Sequence, residues 1–227
     1  MKDKWAVYNR FRRVRRRTLR LAAALGLSAG VLLLGPQAPA QAKSSEEAGS
    51  FLISLTTQAI EQLTDDSVPV EQRKARFRAL FRDNFDIPAI GRFVLGRYGR
   101  GTPGPVMTDF LATFEDVMVD RFAPQFAGYG DTRFRLGPVR KVENRDQYMV
   151  SSAITPPESE NEVKIDWRIR HKNGRYKVLD IVGEGVSMAL TLRAEYGSVL
   201  KASGGKVDRL IVLLRERIGS QAAAAAN

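Results

Sequence analysis

The chain has 227 residues, no cysteine, one histidine, and 36 Lys and Arg against 25 Asp and Glu, a formal net charge of +11. The lack of cysteine excludes disulfide staples, thiol nucleophiles, zinc–thiolate sites and a lipidated cysteine. Nine of the basic and one of the acidic side chains lie in the first 42 residues, which leaves a surplus of three positive charges for the remainder and speaks against the concentrated basic face that nucleic-acid binding needs.

The stretch from Met1 to Arg20 carries Arg10, Arg12, Arg13, Arg15, Arg16, Arg17 and Arg20 and is followed by the apolar run Leu21 to Leu34 and then Gly35-Pro36-Gln37-Ala38-Pro39-Ala40-Gln41-Ala42. Basic, apolar and small-residue segments in that order are the layout of a secretory signal peptide, with the cut expected before Lys43. The apolar run is shorter than the roughly twenty residues a membrane-spanning helix needs. Arg16-Arg17 has some likeness to a twin-arginine signal, but its flanks fit general export of an unfolded chain better. The exported domain is expected to span 43–218, with an Ala-rich tail from 219 to 227 that has no reason to be ordered.

A first helix is expected from Ser44-Ser45-Glu46-Glu47, with Phe51, Leu52, Leu55, Ala59, Ile60 and Leu63 at helical spacing until Asp65-Asp66-Ser67. Pro69 opens a second, whose apolar stripe is Phe77, Leu80, Phe81 and Phe85, with Arg73, Lys74, Arg76 and Arg78 at the other positions. A short third helix runs from Ile87 to Gly96. Arg97 to Pro105, with three glycines and two prolines, reads as loop, and Phe110, Leu111, Phe114, Val117, Met118 and Phe122 mark a fourth helix.

The period then changes to two. Residues 132–139, 146–155, 162–171 and 175–183 read as four strands, the clearest being the third, where Val163, Ile165, Trp167 and Ile169 alternate with Lys164, Asp166, Arg168 and Arg170. Such a sheet exposes one face and needs the other covered. Closing helices over 187–201 and 206–218 complete an α+β domain: an antiparallel sheet of four or slightly more strands with one face covered by N- and C-terminal helices.

Catalytic equipment is sparse. His171 sits beside a hairpin turn among Arg170 and Lys172 and reads as an exposed residue, and no Gly-x-Ser-x-Gly elbow exists to present a serine. The glycines at 99, 101 and 104 lack the Gly-Lys-Ser/Thr ending of a phosphate-binding loop. Asp180 and Glu184 are the only pair to consider for acid–base chemistry, and a structural role for Asp180, bonded to backbone near the strand end or to an arginine, is the better reading. Asp65-Asp66 and Asp83 with Asp86 lack calcium-loop spacing, so no metal and no cofactor is expected.

The segment from Trp167 to Met188, with its Gly174-Arg175-Tyr176-Lys177-Val178 hairpin followed by Asp180-Ile181-Val182-Gly183-Glu184-Gly185-Val186-Ser187-Met188, resembles the toluene-tolerance family of periplasmic lipid carriers, the MlaC-like proteins. The likeness continues through Thr191, Arg193, Glu195-Tyr196 and Gly204-Gly205 to Leu210 and Leu214, and upstream through Phe81 to Tyr98, where relatives often carry tryptophan in place of Tyr98. The resemblance implies a periplasmic shuttle that holds phospholipid tails in an apolar cavity between the sheet and its covering helices. It also implies exchange with an inner-membrane ABC transporter complex and an outer-membrane lipoprotein complex. Some relatives are associated with hopanoids, an alternative cargo.

Inward positions supply the expected lining: Phe81, Phe93, Phe110, Phe114, Met118, Val150, Ile165, Trp167, Val178, Met188 and Leu192, with Met118 and Met188 able to adjust to varied tails. Docking to partner complexes is expected through defined patches, including Arg97, Arg100, Arg168 and Arg170, and not through general attraction to anionic membrane. Two other classes stay open: a lipid-acting enzyme on the same cup, using Asp180 or Glu184, and an interaction module with a solid core.

Overall fold

The computed structural model describes residues 38–157 and 159–225. The expected signal segment lies almost wholly outside them. Six α-helices and five strands follow in the order α1 (Ala38–Leu63), α2 (Val70–Asn84), α3 (Ile87–Leu95), α4 (Gly104–Phe122), β1 (Arg133–Lys141), β2 (Gln147–Thr155), β3 (Val163–Lys172), β4 (Arg175–Gly183), β5 (Val186–Ser187), α5 (Met188–Ala202) and α6 (Val207–Ala225). The helix α1 begins six residues before the expected start at Ser44. The segment 97–105 is not all loop, since a 3₁₀ turn occupies Gly96–Gly99 and α4 opens at Gly104 behind Pro103. The helix α6 continues to Ala225 where a tail without order was expected from 219, in keeping with alanine's helix propensity, the highest of any residue.

The end of α1 explains why α2 is so basic. The last carbonyls of a helix lack partners within it. Arg73, which is buried, donates from Nε to the Leu63 carbonyl at 2.8 Å and from Nη2 to that of Asp65 at 2.8 Å, and Arg76 donates to the Gln62 carbonyl at 3.0 Å. Farther along α2, Arg78 reaches Glu115 at 2.8 Å and Asp116 at 2.6 Å on α4, and Arg82 also pairs with the buried Glu115. The polar face of α2 is therefore a set of clamps onto α1 and α4, with Lys74 reaching Asp120 at 3.0 Å.

The strands form one antiparallel meander in the order β1-β2-β3-β4-β5. Asn173 and Gly174 join β3 to β4 with φ of 52° and 72°, the positive values that a two-residue hairpin turn demands. The register pairs Val150 with Trp167, and Trp167 with Ile181, which places these side chains on one face. The helix α1 lies across that face: Ala48, Leu52 and Leu55 pack with Tyr148, Val150, Trp167, Ile169 and Val178 in a sheet cluster. A second, helical cluster joins α2, α3, α4, α5 and α6 around Phe110, Phe114, Leu192 and Tyr196. Here α3 and α4 touch so closely that a Cβ on Gly91 would come within 2.3 Å of Leu111 Cδ2. The covering is thus divided: α1 crosses the sheet, α5 reaches β4, and α6 packs on α4.

The short strand β5 makes the sheet slightly larger than four strands, as allowed for, at a place the sequence pattern does not mark. Gly185, at φ 81°, turns the chain back so that Val186 and Ser187 pair with Gly183 and Val182. The pairing sets the start of α5: Ser187 Oγ accepts from Leu190 N at 3.0 Å and donates to Asp180 Oδ2 at 2.6 Å, while Asp180 Oδ1 accepts from Ala189 N at 2.9 Å. Asp180 is buried. A buried carboxylate that satisfies a helix N-terminus leaves two donors unpaired when removed, so Asp180→Ala should lower the unfolding free energy by about 2–3 kcal/mol in urea titrations, with the exposed Asp131→Ala within about 0.5 kcal/mol of the parent.

Candidate functional site

The expected lining residues fall into the two clusters. Phe81, Phe110, Phe114, Met118 and Leu192 are buried members of the helical cluster, with Met188 packed against it. Val150, Trp167 and Val178 are buried in the sheet cluster, with Ile165 packed against it. Phe93 is the exception. It is 38% exposed and covered on its outer side by the Arg193 guanidinium, 4.9 Å above the ring. The buried positions of α3 are Ile87, Ile90, Gly91, Val94 and Leu95, and Phe93 lies out of phase with them.

Periodicity also passed over the residue that joins the clusters. Phe85 packs against both, 4.8 Å from the ring of Phe81 on one side and beside the sheet on the other, where it bridges to Val178. Its β-type backbone ends α2 and lets Asp86 N donate to the Val178 carbonyl at 3.0 Å. Nothing in a helical stripe marks its last residue as the first of an edge bridge, so Phe85 had been assigned only to the stripe of α2.

Polar groups inside the layers are few. Trp167 Nε1 donates to Ser152 Oγ at 2.9 Å, and that hydroxyl donates to the Ile165 carbonyl at 3.1 Å, so the buried indole is satisfied. Tyr196 is not: its hydroxyl is buried without a hydrogen-bond partner, while its ring stands edge-on to those of Phe110 and Phe114, with centroids 6.3 and 6.4 Å away. Desolvation pushes its phenol above the usual tyrosine range, with Glu195 adding to the shift. Its spacing of four from Leu192 and Leu200 could have marked it as inward.

The catalytic alternatives find no geometry. Asp180 is held by the start of α5 as described, the structural role expected of it. Glu184 accepts from Lys164 N at 2.9 Å, away from that position. His171 is half-buried and not plainly exposed, its ring 4.6 Å from that of Tyr176 and its Nδ1 3.3 Å from Asp146. Among the described residues no three His, Asp or Glu side chains gather as metal ligands. A recess of about 750 Å³ near the end of α1 is lined by polar groups, Thr64, Asp66, Asp131, Arg133 and Glu160 among them, and by none of the expected lining residues. Of the basic docking residues, Arg168 and Arg170 share one sheet face, whereas Arg97 lies on the 3₁₀ turn, folded over the Tyr98 ring at 5.0 Å, with Arg100 just beyond it.

The family model described as MlaC protein matches residues 54–216, a span that takes in the helical cluster, the strands of the sheet cluster and every expected lining residue. The chain belongs to the MlaC protein family. A curated relative, the intermembrane phospholipid transport system binding protein MlaC of Haemophilus influenzae, is 23% identical over 128 residues. That alignment covers 56% of this chain and 59% of the relative, so it spans about three fifths of the relative's length. A solved structure, the phospholipid-binding protein from Ralstonia solanacearum in complex with a phospholipid, superposes with a TM-score of 0.70 at 17% identity and covers 77% of this chain and 98% of its own. This chain and that protein thus share one α+β fold.

The orphan hydroxyl of Tyr196 makes a test of the helical layer. A buried hydroxyl with no partner costs about 1–3 kcal/mol, so Tyr196→Phe should equal or exceed the parent in unfolding free energy at neutral pH. Because the folded phenol titrates above its ordinary 10.0, its contribution is intact below pH 10 and declines as pH rises beyond it, where only the unfolded chain releases the proton. The variant should lose that part of the alkaline slope in urea titrations between about pH 9 and 11; a variant less stable than the parent by over about 1 kcal/mol would mean that the hydroxyl has a partner.

Proposed function

We propose that this protein is a periplasmic lipid carrier that takes up phospholipid acyl chains between the sheet cluster and the helical cluster. In this reading it shuttles lipid between the outer and inner membranes as a soluble part of an ABC-type system that maintains outer-membrane lipid asymmetry. Its partners would be an inner-membrane ABC transporter complex and an outer-membrane lipoprotein complex. The observation that carries the reading is the family match over 54–216, which takes in every expected lining residue and Phe85, the residue packed against both apolar clusters. The relative named for intermembrane phospholipid transport and the phospholipid complex of the same fold support it.

The physics of the cargo fits such a division. Each methylene exposed to water costs about 0.8 kcal/mol, so two tails with roughly fourteen buried methylenes each would cost on the order of 20 kcal/mol to carry uncovered. Dispersion and apolar burial are non-directional and tolerate different tail lengths, which suits a carrier that accepts lipids as a class. No chemical step is assigned to the chain, because Asp180 and Glu184 already accept from backbone donors. Among the described residues no helix is long and apolar enough to cross a membrane. Export through a signal peptide cut before Lys43 would keep the contacts of Tyr176 with the Ser44 carbonyl at 3.2 Å and Glu47 at 3.0 Å, which tie α1 to the sheet.

The decisive experiment is to purify the exported protein from periplasm without detergent and analyse the organic extract. Stoichiometric intact phospholipid supports the carrier, absence of lipid favours an interaction module, and cleaved lipid favours an enzyme; a polycyclic lipid would move the cargo to hopanoids. Ile165→Asp sharpens it. Ile165 shares its face with Val163 and Trp167 and stands opposite Ser152 and Gly183. A carboxylate there would lose several kcal/mol in a dry core, but in a lipid-lined space water can enter when the tails leave. The variant should stay cooperatively folded by circular dichroism and leave the periplasm without lipid, while Lys164→Asp keeps both fold and cargo.

A further inference from the structure

The sheet face turned away from α1 gathers cations toward its hairpin end, with Asp166 opposite Ser151 and Asp180 opposite Arg168 farther along. The register places Arg140 beside Met149, Met149 beside Arg168, Arg170 beside Lys177 and Lys172 beside Arg175, all on this face. The last two pairs are like charges set directly opposite on neighbouring strands, a pairing that destabilises a sheet. Four cations therefore occupy a two-by-two block at the hairpin end, around a recess of about 400 Å³ lined by Arg170, Lys172, Asn173, Arg175 and Lys177.

Counter-charge within the chain covers only one side of the block. Asp86 pairs with Arg170, and Lys177 donates to the carbonyls of Arg82 and Asp83. Burial pulls the Lys177 ammonium below its ordinary value, with Asp83 opposing and Arg175 adding to the shift. The buried Nε of Arg170 has no hydrogen-bond partner, and Lys172 and Arg175 stand exposed at the tip. Lys172 and Arg175 gain no ion pair or side-chain hydrogen bond among the described residues, so an anion from outside is their natural complement.

We infer that this outer sheet face binds the phosphate groups of anionic bilayer headgroups at the hairpin recess and seats the protein on the membrane. A protein partner fits less well. Protein interfaces centre on aromatic and aliphatic anchors with charge at the rim, whereas here the cations occupy the centre and no large exposed apolar side chain lies on the face. A plane of phosphates needs no such anchor, and basic side chains near an anionic surface each add to its attraction. The small overall charge surplus had concealed this face, which gathers its cations by strand alternation while acidic residues such as Asp66, Asp131 and Glu160 line the other recess.

The choice of a bilayer over another polyanion rests on the carrier reading, and the test separates the two. Flotation of the exported protein with vesicles of phosphatidylcholine containing about a third phosphatidylglycerol, against phosphatidylcholine alone, should show at least roughly tenfold stronger binding to the anionic vesicles, falling with added salt. Lys172→Glu with Arg175→Glu should bring binding down to the neutral-vesicle level, while Arg97→Glu with Arg100→Glu on the 3₁₀ turn leaves it unchanged. The lipid recovered by extraction should be the same in all three proteins. Equal binding to both vesicles, or undiminished binding by the hairpin variant, overturns the inference, and so does release from the anionic vesicles by low-millimolar inorganic phosphate that equal ionic strength of chloride does not cause, since the site would then serve free phosphate. Protein that binds anionic vesicles yet carries no lipid would instead refute the carrier reading and leave this one standing.

Discussion

The organisation of the molecule depends on the two residues that follow α2. Phe85 leaves the helix in extended conformation, Asp86 follows at φ −88° and ψ 71°, and the pair lies against the edge of β4, where Asp86 N donates to the Val178 carbonyl. Successive side chains of an extended segment point to opposite faces. Phe85 therefore enters the covered side of the sheet and touches both apolar clusters, while Asp86 meets Arg170 on the open side and caps α3 through Ala89 N at 3.1 Å. One extended step joins the helical layer to the sheet, fixes the direction of α3 and supplies the counter-ion of the outer face.

The remaining polar contacts keep the layers in register around that step. Arg73 and Arg76 bind the end of α1 to α2, Arg78 and Arg82 bind α2 to α4 through Glu115, and Asp180 binds β4 to α5. Each spends charge or backbone donors that would otherwise be orphaned by burial, so each holds position more than it adds stability. None of them crosses between Leu52 and Trp167 or between Phe110 and Tyr196, where contacts are apolar. Apolar contacts without directional bonds can be replaced by a ligand's methylenes at little cost, whereas a hydrogen-bonded seam could not.

The sheet was legible because period two is hard to mistake: Val163 to Arg170 alternates through β3, and the turn at Asn173-Gly174 is a strong local signal. β5 was not, because two residues cannot show a period. Phe93 is apolar but out of phase with Ile87, Ile90 and Val94, and its partial exposure follows the phase. For Arg73 the sequence shows only a position outside the apolar stripe, since the carbonyls it satisfies lie outside α2 and leave no trace in that stripe. Phe85 needed knowledge of what lies next to β4. The function itself was carried by the resemblance in the segment from Trp167 to Met188, which periodicity alone could not have separated from an ordinary core.

Charge shows the same limit from another direction. A surplus of three over the exported segment is an average, and an antiparallel sheet sorts what the average mixes. In β3 the apolar residues take one face and Lys164, Asp166, Arg168, Arg170 and Lys172 the other, so the alternation that builds the sheet cluster also builds the predominantly basic face. The two cannot be tuned apart: shifting register by one residue would bury the cations under α1 and expose Trp167 and Ile169. For the proposed carrier this means that the surface that meets tails and the surface that meets headgroups are opposite sides of one strand, fixed relative to each other by backbone geometry.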